Sequence, residues 1–139
     1  RLPCKPVAPG AKVADEDMCI IEAMPIKSLI TFPQSGTDHP LAKKLSVRGH
    51  AWSGEGKVAE VYTSIDFGQT WQIAELTLPV NRHAWQQFTT KIAFPQQGYF
   101  EIWAKAVDEN GKAQPMVLPG WNPKGYLNNA CHRIAVRVV

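Results

Sequence analysis

The sequence predicts an all-β fold, an immunoglobulin-like sandwich of two sheets with about seven strands. Short runs of alternating apolar residues are separated by turn-forming residues at intervals of roughly ten positions. No segment keeps a helical period, and 45% of the 139 residues are hydrophobic, which is enough for one buried core. The cysteine–tryptophan–cysteine triangle of antibody domains is not part of the pattern.

Two strands are predicted before the first glycine-rich turn. The first is IKSLITF (residues 26–32), which Pro33 ends before the loop PQSGTDHP. The second is KLSVRGHAW (residues 44–52), in which Leu45 and Val47 face the core and Gly49 shares their register.

The third predicted strand, KVAEVYTSI (residues 57–65), departs from simple alternation. Val58 is out of phase with Val61 and Ile65, and either a β-bulge or burial on both faces explains this. The DFGQT segment that follows (residues 66–70) places an aspartate and a glycine for a tight hairpin turn.

Further strands are predicted in the second half of the chain. They are WQIAELTL from Trp71, AWQQFTTKIAF, YFEIWAKAV (residues 99–107) and HRIAVRVV. The DENG segment after residue 107 is a strong hairpin signal. Trp71 and Trp103 occupy positions where a sandwich core takes a large ring.

Charge and hydropathy exclude two classes of partner. The net charge is +3 and the basic residues are scattered, without the stripe that contacts phosphates, so no nucleic-acid partner is expected. No stretch reaches the roughly 18 apolar residues of a membrane helix, so no membrane span is expected either.

Residues 1–23 are expected to be a linker or the tail of a preceding domain, and residues 24–139 the folded domain. The opening RLPCKPVAPG has prolines at positions 3, 6 and 9, with neither an initiator methionine nor the apolar core of a signal peptide. Cys4 and Cys19 are close enough in sequence to close a short disulfide loop in an oxidising compartment; the alternative is that they are ordinary thiols.

The adjacent Cys131 and His132 suggest a nucleophile with its base, or a pair of metal ligands. Neighbouring residues on a strand point to opposite faces, so the two cannot act together. No second cysteine or histidine pair has ligand spacing, and no catalytic motif is present. We therefore expect no catalytic residue and no metal site, with Cys131 buried and His132 holding a loop by hydrogen bonding.

The five tryptophans are more than a core of this size needs. Trp52, Trp85 and Trp121 lie at strand ends or in loops, where exposed rings serve a protein interface or a sugar platform. The sequence leaves both interpretations open.

The WNPKGYLNN stretch is an amide-rich loop before the last strand. Asn122 and Asn129 are placed to satisfy loop backbone groups, and Gly125 to take a positive φ. Lys124 is the one formal charge in the loop, either a solvated lysine or a cation presented to an anion.

Three segments in this order resemble the C-terminal domain of the sulfite oxidase family, the molybdenum-cofactor oxidoreductase dimerisation domain. They are VRGHAWSGEGKVAEVYTSIDFGQTWQIAEL, WAKAVDENGKAQP and WNPKGYLNNACHRIAVRV. The resemblance covers residues 24–139 and implies an immunoglobulin-like domain that pairs two subunits as a homodimer.

The resemblance also implies what lies outside the chain. In that family a preceding domain holds molybdopterin and the cysteine that ligates molybdenum, so this fragment is expected to bind no cofactor and not to be catalytic alone. The parent protein is expected to be a molybdenum-dependent oxidoreductase that passes electrons to a haem or cytochrome partner. A bacterial periplasm is the expected location.

Three positions depart from the family pattern. Animal members present an arginine followed by a glycine to the anion site, where this chain has Lys124 and Gly125; lysine keeps the charge without the bidentate fork. Phe67 stands where the turn usually has a second glycine, and Cys131 where animal members have an aromatic residue. These departures suggest a bacterial branch whose substrate need not be sulfite.

A β-sandwich module that binds carbohydrate or protein is the alternative function. It would use Trp52, Trp85 or Trp121, and it requires two or three aromatic rings that are coplanar on an exposed face.

Overall fold

The computed structural model describes residues 2–3, 8, 10, 12, 14, 16, 18–19, 25–54, 57–78, 85–115 and 130–139. These residues contain eleven β-strands. The strands are β1 (Leu2–Pro3), β2 (Met18–Cys19), β3 (Lys27–Phe32), β4 (Thr37–His39), β5 (Leu45–Trp52), β6 (Val58–Ser64), β7 (Gln72–Ile73), β8 (Glu75–Leu76), β9 (Gln86–Ile92), β10 (Gly98–Asp108) and β11 (His132–Val138).

Nine of these strands form two sheets that pack face to face, which confirms the predicted all-β sandwich. The strand order is β3-β5-β9-β8 in the four-stranded sheet and β4-β11-β10-β6-β7 in the five-stranded sheet. Neighbouring strands are antiparallel except β4 and β11, which run parallel. This is the order of an immunoglobulin-like sandwich with one further strand at each edge of the second sheet.

One hydrophobic core fills the space between the two sheets. Every second residue of a strand points inward, so β5, β9 and β11 each show alternating burial. In β11 the inward residues are Ile134, Val136 and Val138, as the alternation of that segment predicts. Phe88 of β9 is the largest side chain that is fully buried among the described residues.

The chain changes sheets at two places that the sequence did not reveal. β3 pairs with β5, but β4 pairs with β11 in the opposite sheet, so the predicted loop 33–40 contains a strand. The predicted single strand from Trp71 divides into β7, which pairs with β6, and β8, which pairs with β9. Buried Ala74 lies at this crossing, and its N–H donates to the Val61 carbonyl at 2.8 Å. The prediction of one continuous strand was therefore wrong, because the backbone changes its hydrogen-bonding partner at Ala74.

β6 contains a β-bulge, which is one of the two explanations that the phase of Val58 left open. Glu60 and Val58 lie opposite two consecutive residues of β10, so Ala59 between them is the extra residue of the bulge. The bulge brings both Val58 and Val61 into the core.

The DFGQT segment forms the predicted tight turn between β6 and β7. Phe67 (φ 60°) and Gly68 (φ 83°) both have left-handed backbone conformations. The Asp66 carboxylate accepts hydrogen bonds from the Thr70 amide at 2.9 Å and from the Thr70 hydroxyl at 2.5 Å. These bonds from Thr70 lower the pKa of Asp66 to about 2, so the turn is closed by a charged carboxylate at neutral pH.

Trp103 and Trp71 lie on the outer face of the five-stranded sheet, so the prediction that they fill the core was wrong. Trp103 is only 7% exposed, yet it alternates with the inward Ile102 and is not part of the core cluster. The guanidinium carbon of Arg133 lies 4.0 Å from the centroid of its ring, and Phe67 meets it edge-on at 6.1 Å. Long cationic and aromatic side chains on a sheet surface can thus bury a tryptophan outside the core.

Candidate functional site

The outer face of the four-stranded sheet carries aromatic and charged side chains. We call it the tryptophan face: it consists of the outward residues of β3, β5, β8 and β9, from the Trp52–Trp85 pair at one end to the Phe32–Arg48 pair at the other. Because side chains alternate along each strand, these residues stand in rows that cross the sheet.

The Trp52–Trp85 pair is a stack. Trp52 ends β5 and Trp85 directly precedes β9, so the register of the two strands places the rings beside each other. The ring centroids are 4.9 Å apart with planes at 16°, and the His50 ring centroid lies 5.5 Å from that of Trp85. Trp85 is still 62% exposed. Each ring covers one face of the other, which differs from the coplanar platform that carbohydrate binding requires.

The opposite end of the tryptophan face combines apolar surface with charge. The guanidinium carbon of Arg48 lies 4.6 Å from the centroid of the Phe32 ring. The two residues line a cleft of about 520 Å³ together with Ile73 and Glu75. Phe32 and Ile73 are both exposed. Exposed apolar surface beside charged groups is typical of protein–protein contact surfaces.

The outer face of the five-stranded sheet differs, because its Arg137, Asp38 and Glu101 side chains already have hydrogen-bonding partners within the chain. Arg137 donates to the two oxygens of Asp38 at 2.9 and 2.6 Å. The Lys105 ammonium lies 4.1 Å from the centroid of the Trp71 ring, which is half-buried beneath it.

Glu101 forms a second paired group on that face. It accepts hydrogen bonds from the Tyr99 hydroxyl at 2.7 Å and from the Trp103 indole N–H at 3.1 Å. The hydrogen bond from Tyr99 and, to a smaller extent, the one from Trp103 lower the pKa of Glu101. The Tyr99–Glu101 hydrogen bond also raises the pKa of Tyr99. A partner on this face would have to displace these contacts, which makes it the less available of the two faces.

Cys131 and His132 do not form a reactive pair. Cys131 is buried, and desolvation raises the pKa of its thiol, which favours the unreactive neutral form. The Nδ1 atom of His132 accepts the backbone N–H of Ile30 at 2.9 Å. His132 therefore joins two strands, where the sequence suggested that it holds a loop.

Gln114 is a buried polar residue that the sequence did not single out. Its side-chain oxygen accepts hydrogen bonds from the Ser28 hydroxyl at 2.6 Å and from the Ala106 N–H at 2.9 Å. Beside it, the Cys131 N–H donates to the Pro115 carbonyl at 2.8 Å. The chain is thus held together at residues 114–115 and 130–131. No sequence signal marks Gln114, because its partners Ser28 on β3 and Ala106 on β10 come together only in the fold.

Several predicted site residues lie outside the described part of the chain. They are Lys124, Asn122, Gly125, Asn129 and Trp121. Cys4 and the side chain of Cys19 also lie outside it, so their disulfide stays a prediction.

The described residues do not fit a molybdenum centre. They contain no group of three or more His, Cys, Asp or Glu side chains that could hold a metal ion. A ligating cysteine must be a thiolate, whereas the pKa of the Cys131 thiol is raised. We assign no step of molybdenum chemistry to these residues. Within the same residues, no helix has the length and apolar character needed to cross a bilayer.

Comparison with known families gives a match over most of the chain. A family model described as the Mo-co oxidoreductase dimerisation domain matches residues 18–139. The match begins before residue 24, the predicted start of the domain, and that boundary stays a prediction.

Known proteins are similar over the same region. The mitochondrial sulfite oxidase of Mus musculus is 41% identical over 126 residues, which cover 86% of this chain and 23% of that protein. The human enzyme is 38% identical over 85% of this chain and 23% of its own length. A nitrate reductase [NAD(P)H] of Hordeum vulgare is 30% identical over 86% of this chain and 15% of its own length.

A solved structure has the same fold. It is the sulfane dehydrogenase SoxCD from Paracoccus pantotrophus, with a TM-score of 0.66 and 28% identity, over 82% of this chain and 30% of that one. The chain thus spans less than a third of the length of each of these proteins.

Proposed function

We propose, from the premise that this chain belongs to the Mo-co oxidoreductase dimerisation domain family, that it pairs two copies of its parent chain through the tryptophan face. The family match confirms the predicted role as the dimerisation domain of a sulfite oxidase-type protein. The alternative of a carbohydrate-binding module has no support from the stacked tryptophans. The use of this particular face is our proposal.

The single observation that carries the proposal is the exposed aromatic and apolar surface between Trp85 and Phe32. Aromatic residues and arginine are enriched in protein interfaces, and the tryptophan face carries Trp52 and Trp85 at one end and Arg48 at the other. A stable interface buries at least about 1,000 Å² in total, and a four-stranded sheet is broad enough to supply that area.

The other outer face supplies the matched control. Tyr99 on the five-stranded sheet is also 62% exposed, so Trp85→Ala and Tyr99→Ala remove equally accessible aromatic rings from opposite faces. Sedimentation equilibrium of the full-length parent measures the dimer dissociation constant of each variant. We expect Trp85→Ala to raise it at least about thirtyfold, as for an interface hot spot, and Tyr99→Ala to leave it within about threefold.

The reverse result would overturn the proposal. If Tyr99→Ala dissociated the dimer and Trp85→Ala did not, the subunits would pair through the five-stranded sheet.

The same premise extends to the parent protein. It is a molybdopterin-dependent oxidoreductase in this proposal, with its cofactor outside this chain and a haem or cytochrome as electron acceptor. The relatives include a sulfite oxidase, a nitrate reductase and a sulfane dehydrogenase, which supports oxidation or reduction of a small inorganic substrate. The departures at Phe67 and Cys131 support a bacterial parent, and the family resemblance supports the periplasm as its location. Fractionation of the native cells tests the location, and a cytosolic parent would contradict it.

Lys124 is the residue that this domain would lend to a substrate anion. The described residues on either side of its segment are held together by the Cys131–Pro115 hydrogen bond, which fixes where the segment leaves and rejoins the domain. In the full-length parent, Lys124→Met should raise the KM for an anionic substrate at least about tenfold, while Lys124→Arg should not, because arginine keeps the charge. An unchanged KM in Lys124→Met would return Lys124 to the role of a solvated lysine.

A further inference from the structure

One row of the tryptophan face crosses all four strands of its sheet. Arg48 on β5 lies opposite Phe32 on β3 and, on its other side, opposite Thr89 on β9. Thr89 in turn lies opposite Glu75 on β8. A cation and an anion therefore stand on either side of β9, with the small Thr89 between them.

Neither charge of this row is neutralised within the described residues. The only ion pair there joins Arg137 to Asp38 on the opposite face. Arg48 and Glu75 are separated by two strand spacings, about 10 Å. The Arg48 guanidinium also lies over Phe32, on the side of β5 away from Glu75. Both side chains are exposed, so both remain available to groups outside the sheet.

Two-fold symmetry makes this row complementary to itself. When two copies of one sheet pack face to face, the two-fold axis lies between them, parallel to the sheets. An axis that follows β9 places β5 of one copy over β8 of the other, because these strands are the two neighbours of β9. Arg48 then faces Glu75 of the second copy, and the same contact recurs on the other side of the axis.

The same axis accounts for the position of the most exposed ring on the face. Trp85 directly precedes β9, so in this arrangement it meets its own copy beside the axis, at one end of the contact. Lys91 also lies on β9 and would face its own copy. That like-charge contact weakens the dimer, although the long side chain lets the ammonium turn towards water.

We infer that the parent dimer is built around a two-fold axis along β9, with Arg48 of each copy paired to Glu75 of the other. The inference rests on the proposed use of the tryptophan face and adds the partner of each charge, the position of the axis and the source of specificity.

Charge reversal with rescue tests the pairing. The variants are Arg48→Glu, Glu75→Arg and the double variant, prepared in the full-length parent and compared by sedimentation velocity at low ionic strength. Each single reversal should raise the dimer dissociation constant at least about tenfold, because it places like charges opposite each other twice. The double variant should return to within about threefold of the natural protein. Lys91→Gln should tighten the dimer.

Arg137→Glu is the matched control, since it reverses an arginine that has its partner within the same chain. It should leave the dissociation constant unchanged. Circular dichroism of every variant establishes that the domain is folded, and the neutral variants Arg48→Gln and Glu75→Gln replace any reversal that is not.

Three results would overturn the pairing, and they differ in what they leave standing. If the single reversals weaken the dimer but the double variant does not restore it, each charge meets a different group and the axis lies elsewhere. If the reversals have no effect while Trp85→Ala dissociates the dimer, the tryptophan face still pairs the subunits without this contact. If neither the charge reversals nor Trp85→Ala raises the dimer dissociation constant, the proposed face is wrong as well.

Discussion

His132 and Ile30 are joined across the edge of the sandwich by a hydrogen bond in which the imidazole Nδ1 accepts the Ile30 backbone N–H at 2.9 Å. β3 is the edge strand of its sheet, so this amide faces away from β5 and would otherwise need water. Burial lowers the pKa of His132, with the charge of Lys27 as the smaller cause. The fold thus holds the neutral ring, in which Nδ1 is free to accept.

The stability of the domain should therefore fall at mildly acidic pH. Because the folded-state pKa of His132 lies below its ordinary value of 6.5, the unfolded chain takes up the proton first as the pH falls. The stabilisation that comes from keeping His132 neutral is complete above pH 6.5 and declines as the pH falls below that value. The decline levels off once the pH is below the pKa of His132 in the folded state. Urea unfolding between pH 8 and 5 measures the slope. In His132→Asn, which keeps an acceptor but does not titrate, this part of the slope should vanish; an identical slope would assign it to another group.

Gly49→Ala should destabilise the domain severely. A Cβ atom at this position would lie 2.0 Å from the Leu29 carbonyl oxygen and 2.5 Å from the Phe88 ring. Both neighbours are fixed, one in the backbone of β3 and the other in the core, so we expect a loss of about 3 kcal/mol in unfolding free energy. Ser46→Ala, on the outward face of the same strand, is the control and should change stability by less than about 0.5 kcal/mol. Equal losses in the two variants would contradict the packing argument.

Gln114→Leu should also lower the free energy of unfolding by about 3 kcal/mol. The change leaves the Ser28 hydroxyl and the Ala106 N–H without their acceptor in a buried place, and each unsatisfied group costs about 1–3 kcal/mol. Chemical denaturation measures the loss. Gln97→Leu, in the exposed turn before β10, is the control and should be nearly neutral. A neutral Gln114→Leu would mean that water or another side chain replaces the lost acceptor.

Phe67 tests the cost of a left-handed backbone in the β6–β7 turn. Phe67→Asn and Phe67→Val both lose the edge contact with Trp103, so the difference between them isolates the backbone. Asparagine tolerates φ near 60°, whereas a β-branched residue does not. We expect the asparagine variant to be more stable by at least about 1 kcal/mol in thermal unfolding. Equal stability would show that the turn relaxes to another conformation.

The sequence predicted those elements whose evidence is local. β5 and β11 appear as uninterrupted alternation, and the phase of Val58 indicated either a bulge or burial on both faces, of which the structure shows the bulge. The two changes of sheet were not predicted, because they depend on which distant strand accepts a hydrogen bond. In the sequence Ala74 looks like the middle of one strand, but its N–H donates to the Val61 carbonyl. The prediction that Trp103 fills the core was wrong because its ring is covered by Arg133, which lies on another strand.

The candidate site was predictable to a similar extent. An excess of tryptophan and their places at strand ends singled out Trp52 and Trp85, but not that the two rings stack. The row that joins Arg48 to Glu75 requires the register of three strands, which no local pattern contains. Lys124 was singled out as the one formal charge in its loop and by family resemblance, and its role remains a prediction.

The parallel pairing of β4 with β11 determines how the domain bears a mechanical load. Parallel neighbours that are pulled at opposite ends slide past each other, so a force between the chain before β4 and the chain after β11 shears their contacts together instead of unzipping them one by one. The Arg137–Asp38 fork spans the same two strands and is loaded in the same direction. The domain would therefore resist a pull along the direction of these two strands more strongly than a pull across them.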